Sequence, residues 1–523
     1  MTSLLGLLAR QYAAWTTTWL FIVGTLVVVT LPAYTSTYPD EAAARRVALE
    51  LAQNNAATTL LYGRLPDPGS PGQLFVWETG AFVTLLVAVL GVLMTVRLTR
   101  LAEQEGTIEI VRSAGLGRLA PLMATFVVLA VVGSSLGLVS AAAVGLRAGQ
   151  VDGVDWTGSL AFGSVVALTF VVMALITVIL AQLVPTAWSA RVAGALALAG
   201  GLALRAAADT QHQPWLHQIT PLGLRATVEP FTSNSPVPLI VSFVVAILLA
   251  VVATTLERSR ELGGSILRVS TTRARRVRVS SPLGLAWRLG RATTVWWVAG
   301  IAFGGALFTA MGSSVVETAR QGHLSGGFLE AQLAGGDPVS AYFGYTGTIV
   351  AIVVTASGIL ATLAAVTEER RGPGEFLRAT GTSPARVLAG HLGVALIGSA
   401  LALGSTAALI AIVAPQAVSS PGVSGEAFQQ VIGQWSGVLV LLGPAILLAG
   451  WSPRLAWLGW IPYAAGVVLA LLGTLLGLPQ ALIDLGPFDP AHGIVTPLIR
   501  LTVFAITVGT GLWAVGRRDL ASG

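Results

Sequence analysis

Side chains that commonly carry out enzyme chemistry are sparse in this sequence. All 30 of the residues counted as Lys or Arg are Arg, and there is no Cys. A Walker A loop needs a Lys that reaches the nucleotide phosphates, a Schiff base needs a Lys amine, and thiolate sites need Cys. The sequence therefore excludes a P-loop, a Schiff-base lysine, a disulfide framework and a thiol nucleophile in this chain.

Two other patterns are weak candidates for chemistry. One G-x-S-x-G match, Gly133 to Gly137 around Ser135, lies inside an apolar run. It lacks the strand-to-helix turn of a nucleophile elbow, so we interpret its small residues as helix packing. His212 and His217 lie five residues apart, and a single pair at this spacing is poor evidence for a metal site. We predict no catalytic residue, no metal site and no enzyme activity in this chain.

A charged motif with the pattern E-x-x-G-x-x-E-x-x-R-x-x-G occurs twice. In each copy the second Glu and the Arg lie three residues apart, which places them on one face of a helix. The first Gly permits a break from the preceding helix, and the last Gly suits a helix C-terminus. The two copies consist of Glu103, Gly106, Glu109, Arg112 and Gly115, and of Glu369, Gly372, Glu375, Arg378 and Gly381.

Each copy predicts a short helix that is charged on one side and apolar on the other. Such a helix can be a solvated connection between two membrane spans. Its occurrence at equivalent places in two halves favours a docking role. The chain holds no domain large enough to receive it, so we expect a separate cytoplasmic partner.

The elements that position these motifs are membrane helices. The sequence is 54% hydrophobic and only 10% charged, whereas soluble proteins carry about 25% charged residues. A spanning helix needs about 20 mostly apolar residues. We predict an all-α polytopic membrane protein with twelve spans, near 15–34, 77–97, 119–145, 157–182, 191–207, 237–256, 293–312, 346–366, 387–414, 433–450, 455–477 and 494–515.

The distribution of charge predicts the orientation of the chain. With both termini in the cytoplasm, the inner segments hold 22 of the 30 Arg and 9 of the 24 acids. An excess of Arg in short loops marks the cytoplasmic side, so we predict a multi-pass protein of the cell membrane with this orientation. The Arg-rich face fits anionic membrane lipids as partners and does not require nucleic acid.

The two halves of the chain repeat each other. We predict a first six-span half over 1–256, an Arg-rich cytoplasmic linker with an elbow helix over 257–291, and a second six-span half over 292–523. Six spans per half give both halves the same orientation, which makes them parallel repeats. Both starting segments are short and amphipathic, which predicts interfacial elbow helices. The matched segments are Leu5-Gly6-Leu7 with Leu283-Gly284-Leu285, Pro230-Phe231 with Pro487-Phe488, and Arg260-Glu261-Leu262 with Arg518-Asp519-Leu520.

The order and duplication of these segments resemble the type-2 ABC transporter permeases. The whole chain is similar to the duplicated twelve-span permeases of actinobacterial antibiotic exporters, which are described for polyketides such as tetronasin. The resemblance covers the elbow segments, both E-x-x-G-x-x-E-x-x-R segments, the Pro-Phe pairs and the Arg-Arg-Asp-Leu end.

This resemblance implies a permease subunit that exports hydrophobic antibiotics or drugs. It implies two copies of a separate P-loop ATPase subunit, which bind ATP and Mg, while this chain binds no cofactor. The ten motif residues would form the two coupling helices. The copies differ, because Arg370-Arg371 and Pro373-Gly374 replace Gln104-Glu105 and Thr107-Ile108, so their docking surfaces are not equivalent.

The alternative is a proton-driven secondary multidrug carrier. Such carriers place ionisable residues within their spans, and the predicted span centres hold no Asp or Glu. His391 lies about a turn inside the ninth span, and we interpret it as a packing or interfacial residue. Substrate-binding residues are not identifiable. The resemblance points to spans 1, 2, 5, 7, 8 and 11 for the pathway, and we interpret Gly194, Gly200 and Gly201 as helix packing.

Overall fold

The structure is a computed structural model, and it divides the chain into two compact units, Met1–Ala274 and Arg275–Gly523. All regular secondary structure in the described residues is helical, apart from one isolated bridge between Ala148 and Val151. The residues described are 2–37, 59, 62–211, 213–261, 264–266, 281–310, 312–313, 316, 337–370, 380–473, 478–483, 485–488 and 494–518.

The first unit consists of long helices joined by short ones. A π-helical segment, Arg97–Leu101, and a helical turn, Ala102–Gln104, follow the third helix. Two short 3-10 helices, Pro214–Ile219 and Pro221–Gly223, precede the eighth. The α-helices are α1 (Thr2–Thr37), α2 (Pro71–Trp77), α3 (Thr79–Val96), α4 (Thr107–Ser113), α5 (Ala120–Gly145), α6 (Trp156–Leu183), α7 (Ala187–Thr210), α8 (Leu224–Val228) and α9 (Val237–Ser259).

Side-chain caps fix where several of these helices begin. The Asp155 carboxylate accepts a 2.7 Å hydrogen bond from the Gly158 amide at the start of α6. Ser70 and Thr186 form capping boxes at the starts of α2 and α7. These contacts provide hydrogen bonds to backbone amides that have no partner inside the helix. They fix the residue at which each loop ends and the helix begins.

Helix α6 is the centre of the first unit, where it contacts α3, α5, α7 and α9. It meets α5 with almost no side chain between the backbones, since a Cβ atom on Gly137 would lie 2.5 Å from the Gly163 carbonyl oxygen. Ser135 only donates to the Val131 carbonyl within α5. The G-x-S-x-G match is therefore a helix-packing surface, as predicted.

The second unit has a comparable set of helices. A 3-10 turn, Ala456–Gly459, precedes the helix near residue 460. The α-helices are α10 (Pro282–Ala310), α11 (Pro338–Arg370), α12 (Pro384–Ala417), α13 (Val423–Ile432), α14 (Trp435–Trp451), α15 (Trp460–Leu472), α16 (Gln480–Ile483) and α17 (Val495–Arg517).

The apolar core of the second unit lies between α11, α12 and α14. It includes the fully buried Tyr342 and Phe343 of α11, Ile410 of α12 and Leu442 of α14. The core leaves much of α17 exposed, as expected for a helix with one side toward lipid.

Eleven helical segments within the described residues are long and apolar enough to cross a membrane. They include all the predicted spans except the eleventh, near 455–477. That span corresponds to the shorter apolar helix α15, and residues 474–477 lie outside the described part of the chain. The twelve-span count therefore stays a prediction.

The predicted elbow helices are not separate elements. The segments Leu5-Gly6-Leu7 and Leu283-Gly284-Leu285 form the first turns of the continuous helices α1 and α10. Neither segment has a proline or a capped end that would stop the helix before the apolar run. The predicted linker boundary near residue 291 consequently falls inside α10.

Candidate functional site

The first copy of the charged motif forms a short helix that projects from the first unit. Gly106, with φ of 74°, precedes α4, and Gly115, with φ of 82°, follows it. Both angles lie in the left-handed region that favours Gly. No residue of α4 is buried, and Ile110 is 71% exposed. Helix α4 therefore presents both charged and apolar side chains outside the core of the unit.

Glu103 does not share this exposed surface, although it belongs to the same motif. It precedes the break at Gly106 and is only 9% exposed. Its carboxylate lies 2.8 Å from Arg100 Nη1 and 3.0 Å from Arg260 Nη1. Arg260 also lies 3.1 Å from Glu257 at the end of α9. Glu103 is thus a buried bridge between the π-helical segment and the end of α9.

Arg112 connects α4 to the same ion-pair network. Its Nη2 atom lies 3.3 Å from Glu257 Oε1. We predicted a pair between Glu109 and Arg112 within the helix. Among the described residues, however, the acid that Arg112 pairs with is Glu257, because the Arg side of α4 faces the end of α9. Glu109 is left on the exposed side.

Arg100 anchors the network in the backbone. Its side chain is 2% exposed, and its Nε donates to the Ala181 carbonyl at 2.6 Å. Its Nη2 donates to the Gly264 carbonyl at 2.7 Å. The π-helical turn that carries Arg100 adds a residue to the helix, and such turns are frequent at functional sites. The end of the second predicted span is therefore fixed to the ends of α6 and α9.

The second unit contains the corresponding central pair. Glu369, which aligns with Glu103, lies 2.6 Å from Arg518 Nη2. Arg518 aligns with Arg260 in the repeated Arg-acid-Leu segment. Gly381 has φ of 76°, in the left-handed region; the helix that it was predicted to end lies outside the described residues. The remaining predicted residues of this copy, Gly372, Glu375 and Arg378, lie outside the described residues.

Sequence reasoning found the members of these pairs but not the pairing. In the sequence, Glu103 and Glu369 belong to one repeated segment, and Arg260 and Arg518 belong to another. Within each unit, the Glu and the Arg lie more than 140 residues apart in the chain. Reading the two repeats together would have indicated one acid and one Arg that are kept in both halves. Glu257, which completes the network in the first unit, was missed.

A second feature lies where the start of α10, the end of α11 and the start of α12 meet. His391 of α12 is 5% exposed, and its Nε2 lies 3.1 Å from Glu368 Oε2 of α11. Both residues line a cavity of about 400 Å³. His391 packs between helices, as predicted, but its carboxylate partner was not foreseen, because Glu368 lies just outside the predicted span.

The other end of the first unit holds a buried polar cluster. Asp209 lies 3.2 Å from His217 Nε2 and 3.8 Å from Arg205 Nε. Arg225 donates to the carbonyls of Tyr62 and Val76. Burial lowers the pKa of Arg225 to about 9, so its guanidinium still carries charge at neutral pH. We interpret these contacts as structural.

No group of three or more metal-ligating side chains occurs among the described residues. His217 uses its Nε2 atom on Asp209. His212, its predicted neighbour in a weak metal pair, lies outside the described residues. The predicted absence of a metal site stays a prediction for the chain as a whole.

The repeated Pro-Phe segments have one packing role in both units. The fourth and tenth predicted spans begin with Trp156-Thr157-Gly158 and Trp435-Ser436-Gly437. A Cβ atom on Gly158 would overlap the Phe231 ring, and one on Gly437 would overlap the Pro487 carbonyl. This second W-x-G repeat was also missed, and it explains why each Pro-Phe segment accompanies a glycine.

Two comparisons with known proteins agree with this description. The model of the C-terminal domain of the multidrug efflux system permease Rv1217c matches residues 279–516. The multidrug efflux system permease protein Rv1217c of Mycobacterium tuberculosis strain H37Rv is 30% identical over 509 residues. This alignment covers 95% of the present chain and 90% of its relative.

Proposed function

The chain belongs to the family of the multidrug efflux system permease Rv1217c, and on that premise we propose that it is the permease subunit of an ATP-driven exporter. Membership indicates a transmembrane efflux permease and a transport subunit rather than an enzyme. The proposal adds the energy source, a separate pair of P-loop ATPase subunits that bind ATP and Mg. It also adds the cargo, hydrophobic antibiotics or drugs that leave the cell.

The exposed helix α4 is the observation that carries this proposal. It is short, it is bracketed by left-handed glycines, and it presents Ile110 and Glu109 away from the unit. None of its residues is buried, so its apolar side chains are not part of the core of its own unit. Its rigidity and mixed surface are suited to a cleft in a partner. Since the chain has no Lys, ATP hydrolysis must come from that partner.

The ion-pair network supplies a path from α4 into the membrane helices. Movement of α4 would act on Arg112, whose partner Glu257 ends α9. Glu257 and Glu103 share Arg260, and Glu103 is bonded to Arg100 of the π-helical segment. We infer that this network conveys the motion of the ATPase to α9 and to the π-helical segment that follows α3.

The second motif copy completes the proposal. In it Glu369, Gly372, Glu375, Arg378 and Gly381 form the other coupling segment, which contacts the second ATPase copy. The arrangement is two parallel six-span halves with both termini in the cytoplasm and type-2 ABC permease architecture. The Glu369–Arg518 pair supports it, since its position in the second unit corresponds to that of Glu103–Arg260.

The test is the substitution Ile110→Asp in the chain co-expressed with the ATPase encoded beside it. Loss of one exposed apolar contact at a docking surface should weaken association roughly tenfold. The matched control is Leu146→Asp. Leu146, which directly follows α5, is 70% exposed, and Ile110, in α4 before α5, is 71% exposed. Copurification and substrate-stimulated ATP hydrolysis are the measurements. ATP hydrolysis by the isolated chain, or equal effects of both substitutions, would contradict the proposal.

A proton-driven carrier is the competing function, and the Glu368–His391 pair is the feature that such a carrier could use. Vesicles that contain ATP separate the two mechanisms. Dissipation of the proton gradient should leave export unchanged if ATP drives it. Immediate loss of export while ATP is intact would assign the energy to the gradient.

A further inference from the structure

The cavity of the second unit lies between the inner halves of three helices. Its walls are formed by 286–297 of α10, 357–368 of α11 and 391–399 of α12. Eleven residues of helix correspond to about 16 Å, so the cavity extends from the helix ends to about half the depth of a bilayer. On the predicted orientation it opens at the level of the cytoplasmic leaflet.

Small residues create the space. Gly290, Gly358 and Gly398 line the cavity on its three different helices, together with several alanines. Gly398 faces Thr294 across the α10–α12 contact. These glycines lie at close helix contacts, and a volume of about 400 Å³ stays free between the three helices. Ligand pockets commonly have volumes of this order.

The polar side chains that line the cavity are Glu368 and His391 near the helix ends, and Thr293, Thr294, Trp297, Ser357 and Ser399 farther along the helices. Glu368 is the only acid among the described lining residues, and His391 is the only basic one. The Glu368 side chain is 27% exposed, and its bond to His391 uses Oε2, so the carboxylate is accessible from the cavity. At the deeper end, Ser399 is 1% exposed and its Oγ has no hydrogen-bond partner.

The corresponding region of the first unit has different chemistry. With the alignment that pairs Glu103 with Glu369, the positions of Glu368 and His391 are occupied by Ala102 and Thr125. A cavity described there measures only about 30 Å³ and is lined by Arg100, Glu103 and Arg112. The first unit fills this level with its ion-pair network, whereas the second leaves a cavity that holds one acid, Glu368, beside one histidine, His391.

We propose that the cavity between α10, α11 and α12 binds hydrophobic organic cations, a step that rests on the proposed export function. Glu368 would pair with the cationic nitrogen. The indole of Trp297, which also lines the cavity, would contact the charge or the aromatic body of the ligand. The apolar walls would hold the remaining surface.

The cavity can be tested with the full chain in complex with its ATPase, in nanodiscs of phosphatidylcholine. Ethidium is the cationic probe, Nile red is a neutral probe of similar size, and fluorescence polarisation measures the binding of each. Glu368→Gln keeps the shape of the side chain and a hydrogen bond to His391 but removes the charge. It should weaken ethidium binding about tenfold, as expected for loss of one charged contact, and leave Nile red binding unchanged.

Two further variants complete the experiment. Glu426→Gln on α13 removes an acid of the same unit outside the cavity lining, and it should leave ethidium binding unchanged. Ala361→Trp should fill the cavity and reduce the binding of both probes. An unchanged thermal midpoint shows that each variant is folded. Equal ethidium affinity in the Glu368→Gln and Glu426→Gln variants would overturn the proposal.

A lipid amine is the other source of the same chemistry. Addition of phosphatidylethanolamine to the nanodiscs should leave ethidium affinity unchanged. If it lowers ethidium affinity in the original chain but not in Glu368→Gln, the cavity belongs to lipid headgroups and the proposal fails. Ethidium-stimulated ATP hydrolysis separates this failure from that of the proposed function. If ethidium stimulates ATP hydrolysis but does not bind in the cavity, the proposed exporter function stands and the cavity proposal fails. If ethidium binds in the cavity but is not exported and does not stimulate ATP hydrolysis, the proposed exporter function fails.

Discussion

Glu103→Gln is expected to destabilise the first unit far more than a neighbouring change in the same motif. Glu103 is 9% exposed and lies between two guanidinium groups, Arg100 at 2.8 Å and Arg260 at 3.0 Å. Gln can donate or accept hydrogen bonds at the same place, but it carries no charge. The two cations would then remain close together in a buried site with one anion fewer.

The magnitude follows from the partners that remain. Removal of one member of a buried ion pair costs about 3–5 kcal/mol. Arg260 keeps Glu257 as a partner, and Arg100 keeps its two backbone carbonyls, so we expect a loss near the lower limit, about 3 kcal/mol. At about 2–4 °C for each kcal/mol, the thermal midpoint should fall by roughly 6–12 °C.

Thermal unfolding followed by tryptophan fluorescence can measure this change, since the chain has 14 Trp. The control is Glu109→Gln, the other acid of the motif, which lies on the exposed surface of α4. Exposed substitutions change stability by at most about 0.5 kcal/mol. Glu109→Gln should therefore keep the midpoint but weaken stimulation of the ATPase. Equal midpoints for the two variants would refute the assignment of Glu103 to a buried network.

Two further predictions concern the second unit. Arg518→Gln should lower stability by about 2 kcal/mol, because it leaves Glu369 without its partner in a mostly buried pair, and the Glu369→Gln/Arg518→Gln double variant should recover part of the loss in a thermal-unfolding cycle. Gly437→Ala should cost about 1–3 kcal/mol through overlap with the Pro487 carbonyl, whereas Gly404→Ala, which meets open space, should leave the unfolding midpoint and the yield of folded protein unchanged.

The sequence predicted most of the long helices, because apolar runs of about 20 residues have few alternatives in a membrane protein. It also predicted a break at Gly106 and a left-handed helix end at Gly115, and both glycines have positive φ. The prediction of separate elbow helices was wrong, because the helices α1 and α10 continue through these segments. Hydropathy marks where a helix enters the membrane, but only a proline, a cap or a flexible glycine marks where it ends.

Partners across long separations were beyond sequence reasoning. Glu109 and Arg112 have the spacing of a helical pair, yet Arg112 bonds to Glu257, which is 145 residues away in the chain. Spacing within one helix predicts which residues share a face, but it does not predict what packs against that face. The burial of Glu103 depends on the same missing information.

The two units combine a shared contact with different surroundings. Each unit has an acid–Arg pair that joins the end of its second predicted span to the end of its last predicted span. These pairs are Glu103–Arg260 and Glu369–Arg518. A link of this kind is needed wherever motion at a coupling segment must reach a distant helix, so it can be expected in both halves of a two-ATPase exporter. The cavity with Glu368 and His391 has no such reason to be duplicated, because one substrate needs only one acidic pocket. Substitutions in the pairs should therefore affect ATP coupling for every substrate, whereas Glu368→Gln should affect cations alone.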